Sequence, residues 1–149
     1  MNILVHETPR VTLGIAGFME NCIFCKIIKG EIENHKVFEN ENFIAFLDIN
    51  PINPGHLDIV PKQHHGYIFD LPDDLYREIF EIAKKLSLPL QEVTKAKRIG
   101  MAVEGFGVDH VHLHLVPINK GNDLDPNRAK RATSEELGEM SEMIKNCLE

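Results

Sequence analysis

The chain has no apolar run of the ~18 residues that a membrane-crossing helix needs. It also has no basic excess: 16 Lys and Arg stand against 23 Asp and Glu, a formal net charge of −7 at pH 7. A general nucleic-acid binder carries a basic patch and a high pI, so neither a membrane nor a nucleic acid is an expected partner. A small nucleotide needs only a local pocket and stays open. Cysteine is scarce. Cys22 and Cys25 form one C-x-x-C pair with no second pair beside it, and Cys147 stands alone. Repeats and low-complexity tracts are absent. Residues 11–19 are apolar but short and lack the basic leader of a signal peptide, so residues 1–20 read as an N-terminal extension. Without an export signal, a reducing, cytoplasmic setting is expected, with Cys147 an ordinary small apolar side chain.

What is present fits one domain, residues 21–149, long enough to bury a core. Residues 21–30 predict a short helix stopped at Gly30. Strands are expected at 36–39, 43–49, 56–61, 97–103 and 111–118. The two prolines and glycine of residues 50–55 close the second strand. Leu75, Ile79, Ile82, Ala83 and Leu86 recur at helical spacing. Asp70 is the expected N-cap of that helix, and Pro89 is expected to kink or divide it. Thr133 with Glu136 predicts a capping box opening a last helix over 134–147. The sum is an α+β domain: an antiparallel sheet of about five strands, one long helix and shorter ones.

The distinctive segment is His110-Val111-His112-Leu113-His114-Leu115-Val116. Side chains alternate across a strand, so the three imidazoles share one face while Val111, Leu113 and Leu115 point into a core. A row of solvent-facing histidines is the bland explanation, and strict alternation argues against it. Two chemical readings remain. Histidines two apart on a strand chelate zinc; alternatively, one imidazole attacks phosphorus, since its neutral form has a lone pair at physiological pH. Cys22 and Cys25 are ambiguous alone. A redox pair wants a βαβ setting that is missing, and zinc needs two further ligands, for which His64, His65 and the row are candidates.

The histidine row resembles the motif of the histidine-triad (HIT) superfamily. Residues 22–28, 43–49 and 55–64 also resemble family segments, in order, so the likeness covers roughly residues 21–120. The resemblance implies the HIT-like fold and a nucleotide-conjugate hydrolase or transferase. Such an enzyme acts at the α-phosphorus through a nucleotidyl-histidine intermediate, on AMP-phosphoramidates or dinucleoside polyphosphates. It implies His112 as nucleophile with His114 assisting, and Cys22, Cys25, His64 and His110 as ligands of a structural zinc. His65 is then a surface residue. It implies Asp48 for the ribose hydroxyls, Phe24, Ile28 and Ile49 around the base, and His56 near the phosphate. A purine nucleotide or its conjugate is the implied ligand, and a homodimer through the long helix and an edge strand the implied assembly.

The chain departs from the family just before the motif, where many members carry Gln-Ser or Gln-Thr. Here stand Glu104-Gly105-Phe106-Gly107-Val108-Asp109. Gly105 and Gly107 offer backbone N–H groups to a phosphate. Asp109 is expected on the far face from His110, outside the site or in a salt bridge. Two alternatives follow: a nucleotide-binding scaffold with little turnover, and a zinc-dependent hydrolase that uses all three histidines as ligands.

Overall fold

The computed structural model describes residues 20–149. All but the last residue of the expected N-terminal extension lies outside them. Five strands, β1 (Lys36–Glu39), β2 (Phe43–Leu47), β3 (Leu57–Pro61), β4 (Arg98–Ala102) and β5 (Leu113–Ile118), accompany three helices, α1 (Ile23–Ile28), α2 (Asp73–Thr94) and α3 (Ser134–Leu148). The sheet order is β1-β2-β3-β5-β4, and every neighbouring pair is antiparallel.

The sheet is covered on both faces at its centre. Phe43, Ala45, Leu47, Leu57, Ile59, Leu113 and Leu115 pack with the stripe Ile79, Ile82, Ala83, Leu86 and Leu90 of α2 and with Leu137 and Ile144 of α3. On the other face Ile44, Phe46 and Val60 pack with Phe24, Cys25 and Ile27 of α1. Burial on both faces is why β2 and β3 read as unbroken apolar runs rather than as alternation. Val111 falls in the main core as the alternation predicts.

Three local expectations are corrected. The fifth strand starts at Leu113, not Val111. Continuing the β3–β5 register beyond Ile59↔Leu113 would set Val111 against Pro61, and proline has no N–H to give the ladder. The Val111 N–H goes instead to the His65 carbonyl, 2.6 Å away. Asp70 does not cap α2. It closes a 3-10 turn, Ile68–Asp70, and the helix begins at Asp73 after Pro72. A residue before proline is held out of the α region; Leu71 is accordingly extended, at φ −61° and ψ 139°. Pro89 does not divide α2, which runs unbroken to Thr94. Leu86 and Leu90, both fully buried, anchor the turns on either side of it. The capping box of Thr133 and Glu136 forms as read.

Gly55 sets the turn that delivers His56. Its φ is +93°, and a Cβ there would lie 2.7 Å from Thr94 Cγ2 and 3.1 Å from Leu90 Cδ1. Gly55→Ala is therefore expected to destabilise the fold by about 1–3 kcal/mol. Urea denaturation measures this; an unchanged midpoint would show that the contact with α2 relaxes freely.

Candidate functional site

Two clusters of chemistry-bearing side chains lie either side of His112. In the first, Cys22, Cys25, His64 and His110 each offer one ligand atom, all within 4.8 Å of one another. Cys22 is the N-cap of α1, and Cys25 follows one turn later. His64 lies just beyond β3, and His110 just before β5. Cys22 Sγ is 3.3 Å from His110 Nδ1, and Cys25 Sγ is 3.4 Å from His64 Nδ1 and 3.6 Å from His110 Nδ1.

These spacings fit a tetrahedral zinc. Zn–S bonds of about 2.3 Å and Zn–N bonds of about 2.05 Å put neighbouring S and N ligands roughly 3.6 Å apart. The surrounding hydrogen bonds fit as well. His110 Nε2–H donates to the Pro61 carbonyl at 2.8 Å, leaving the Nδ1 lone pair toward the thiols, as the outer partner of a metal-bound histidine does. Burial pushes the His110 pKa down to about 4 and lowers that of His64, so both rings are neutral. His65 stands apart, its Nε2 3.3 Å from Gln63 Oε1.

His112 comes next. Its Nδ1–H donates to the carbonyl of His110 at 2.7 Å, which puts the ring's lone pair on Nε2. The Phe24 ring meets it edge-on at 5.0 Å, and the His114 ring at 4.6 Å. The side chain is buried, which lowers its pKa.

The second cluster is Asp48, His56, Asp58 and His114. Asp58 was not among the expected site residues. It sits mid-strand on β3, 3% exposed, directly opposite His114 in the ladder. Its signal was a lone carboxylate in the run Leu57-Asp58-Ile59-Val60, two residues from His56 and so on the same face. Asp58 Oδ1 lies 2.7 Å from His114 Nδ1 and 3.6 Å from His56 Nε2. Burial opposes its charge, but His114 and His56 beside it hold it well below the usual carboxylate range. Burial likewise opposes a charge on His114; the Asp58 carboxylate beside it, with the charges of Asp48 and Glu104, outweighs it and raises its pKa. His114 Nδ1 is itself hydrogen-bonded with His56 Nε2 at 2.8 Å. Burial, helped by the Asp58 charge, lifts Asp48 to about 6 against the pull of the Asn50 N–H, which donates to Asp48 Oδ1 at 2.8 Å.

The second cluster does not fit a metal. The Ile52 N–H donates to His56 Nδ1 at 3.0 Å, so neutral His56 carries its proton on Nε2, the atom that faces the cluster. A metal ligand has the opposite arrangement. The histidine row is therefore divided between two settings and does not converge on one ion.

Of the remaining expected residues, Phe24 is buried against Phe46 and His112, Ile28 is half-buried on the same small core, and Ile49 is 40% exposed. His56 is almost wholly buried. Asp48, Asn50, His56, Glu104 and His114 line a cleft of about 160 Å³. Gly107, Val108 and the exposed Asp109 line a second, of about 280 Å³, with Cys22, Ile23 and His64. Gly105 turns the loop at φ +84°.

The chain is similar to known proteins in sequence and fold. Residues 29–121 match the HIT domain. An adenosine 5′-monophosphoramidase of Candida albicans is 38% identical over 86% of this chain and 91% of its own length. An uncharacterized HIT-like protein of Methanocaldococcus jannaschii is 40% identical over 68% of this chain and 81% of its own. Among solved structures, a Hit-like protein of Bartonella henselae superimposes with a TM-score of 0.78 at 27% identity, covering 88% of this chain and 98% of that one. A Zn-bound histidine triad family protein of Mycobacterium smegmatis gives 0.73 at 26%, covering 86% and 93%.

Proposed function

The chain belongs to the HIT domain family, and from that premise we propose that it hydrolyses nucleotide conjugates at the α-phosphorus, with an adenosine 5′-phosphoramidate as the representative substrate. The observation that carries the reading is the hydrogen bond from His112 Nδ1–H to the His110 carbonyl. It holds the ring in the tautomer whose Nε2 lone pair is available for attack. His112 Nε2 bonds to phosphorus as the amine leaves, giving a nucleotidyl-histidine adduct, and water then releases AMP. His114 assists both steps.

Around this centre, Asp48 accepts hydrogen bonds from the ribose hydroxyls, with Phe24, Ile28 and Ile49 against the base. His56 lies near the phosphate, toward which Gly105 and Gly107 turn backbone N–H groups. Cys22, Cys25, His64 and His110 would hold zinc, which when bound supplies a closed structural cross-link and no reactive position. The fit of their donor atoms supports this, and the Mycobacterium smegmatis relative is described as Zn-bound. Cys22 and Cys25 are not joined in a disulfide, which suits a cytoplasmic location. A homodimer through α2 and the edge strand β4 is supported by the half-exposed Met101 and by exposed Leu88.

The test is a quench experiment with adenosine 5′-phosphoramidate. AMP should form at catalytic rates, and protein trapped during turnover should carry an acid-labile, alkali-stable adduct on histidine. A protein that binds AMP but neither turns over nor forms the adduct is a nucleotide-binding scaffold, and the hydrolase reading falls.

A further inference from the structure

Asp58 has no part in the scheme above, yet it occupies a costly position. A carboxylate buried within a strand is strongly disfavoured unless paired, and Asp58 is only 3% exposed. Its Oδ1 makes no hydrogen bond among the described residues. The ring atom beside it, His114 Nδ1 at 2.7 Å, accepts instead from His56 Nε2–H at 2.8 Å. The Ile52 N–H fills the other nitrogen of His56, so in their neutral forms neither ring turns a further proton to Asp58. Its charge acts on the surroundings rather than on one donor.

Those surroundings are acidic. His56 and His114 line the cleft of about 160 Å³ together with Asp48 and the exposed Glu104. Asp48, Asp58 and Glu104 set three carboxylates against these two imidazoles, and the balance stays negative even with both rings protonated. Among the described residues, no lysine or arginine lines the cleft. Arg128, on the strap that follows β5, is turned to Asn53 Oδ1 at 3.0 Å and Asp123 Oδ1 at 3.9 Å. A site that meets only phosphate oxygens is expected to be basic. This one has the opposite sign.

The rest of the lining is apolar. Leu124, Pro126 and Ala129 of the strap form a wall with Val116. Two hydrogen bonds tie the strap down: the Lys130 N–H to the Pro51 carbonyl at 3.2 Å, and the Ala132 N–H to the Ile49 carbonyl at 3.0 Å. The space is smaller than the ~300–1,000 Å³ of pockets that bury drug-sized ligands. It suits a short aliphatic chain with a cationic end, and neither a second nucleoside nor a further phosphate.

We propose that this cleft receives the leaving group and selects one with a positive charge: a short aliphatic amine, joined to phosphorus through one nitrogen and carrying a second, protonated amino group. The inference rests on the hydrolase reading and leaves its bond-making unchanged, with His112 attacking phosphorus and the P–N bond breaking. With the ribose on Asp48 and phosphorus at His112, the group that departs past His114 enters the cleft that His114 lines. Glu104 is exposed and meets the cation directly. Buried Asp58 adds a charge that water and salt screen little. The same carboxylates repel a leaving group that ends in carboxylate or phosphate.

The test uses three AMP phosphoramidates of similar size, made from 1,3-diaminopropane, propylamine and β-alanine. Their tails are cationic, neutral and anionic. At low ionic strength kcat/KM should fall in that order, by about tenfold or more from the first to the last. Glu104→Gln separates the cleft's charge from the intrinsic reactivity of the three amines. It should shrink the cationic-to-anionic ratio about threefold or more and leave the propylamine conjugate unchanged. Equal kcat/KM for the three conjugates, a preference for the anionic one, or a ratio that Glu104→Gln does not move overturns the proposal. If wild type turns over none of them, the hydrolase reading fails. Their relative affinities, from displacement of bound AMP, then decide the cleft's selectivity: tightest binding of the cationic conjugate upholds it, and equal binding refutes it.

Discussion

His112→Ala should abolish turnover of adenosine 5′-phosphoramidate, by at least about a thousandfold in kcat, with no comparable loss of AMP binding. Removing a covalent nucleophile costs more than removing a helper, because the remaining groups have no bond-forming atom to assist. Among the described residues the side chain makes one hydrogen bond, to the carbonyl of nearby His110. Its ring otherwise meets Phe24 and His114 edge-on. Truncation should therefore leave the clusters on either side in place. The variant should retain metal stoichiometry, which separates two mechanisms. If all three histidines held one catalytic ion, losing the middle one would release it; with His110 facing Cys22 and Cys25, and His114 facing Asp58, the middle residue can go alone. Steady-state kinetics, AMP titration and metal analysis on one preparation decide the matter. Appreciable residual turnover would remove His112 from the nucleophile's role, and loss of metal with it would favour the metal-hydrolase alternative.

Local pattern in the chain carries a good part of the fold and less of the site. The first strand, Lys36–Glu39, and the capping box at Thr133 form where the sequence places them, because turns and caps are written within a few neighbouring residues. The alternation of Val111, Leu113 and Leu115 also survives into the core. What fails locally depends on distant partners. The fifth strand is shortened by Pro61, which lies on another strand and withholds its N–H. Pro89 is tolerated because Leu86 and Leu90 are packed against a sheet the helix pattern does not describe. The site divides in the same way. Its histidines stand out by type and spacing, and resemblance to a family supplies the grouping of Cys22, Cys25, His64 and His110. Asp58 stood outside that grouping. Its presence in an apolar run is visible, but its meaning comes from facing His114 across the ladder, a register that neither segment states alone.

Removing metal from the Cys22, Cys25, His64 and His110 cluster should produce the largest stability change of any single perturbation. Metal analysis of protein purified without chelator should first find about one zinc per chain. An ion that binds the folded chain and not the unfolded one stabilises it by about 4 kcal/mol when free metal exceeds Kd a thousandfold. For a chain of 149 residues, each kcal/mol moves Tm by about 2–4 °C, so stripping the metal should lower Tm by roughly 10 °C. The cluster joins α1 to the segments that flank β3 and β5, and both Cys25 and His110 have no exposed surface. Without an ion, buried thiols and imidazoles face one another with weak hydrogen bonds at 3.3–3.6 Å. Cys25→Ser should reproduce both the loss of metal and the fall in Tm. Activity should follow, because the His110 carbonyl that fixes the His112 tautomer belongs to a residue the cluster holds. The signature is order: chelation lowers Tm and kcat together, and added zinc restores both. A metal-free preparation that melts at the wild-type temperature and turns over normally would mean that the packing of α1 against Ile44, Phe46 and Val60 suffices to hold the site.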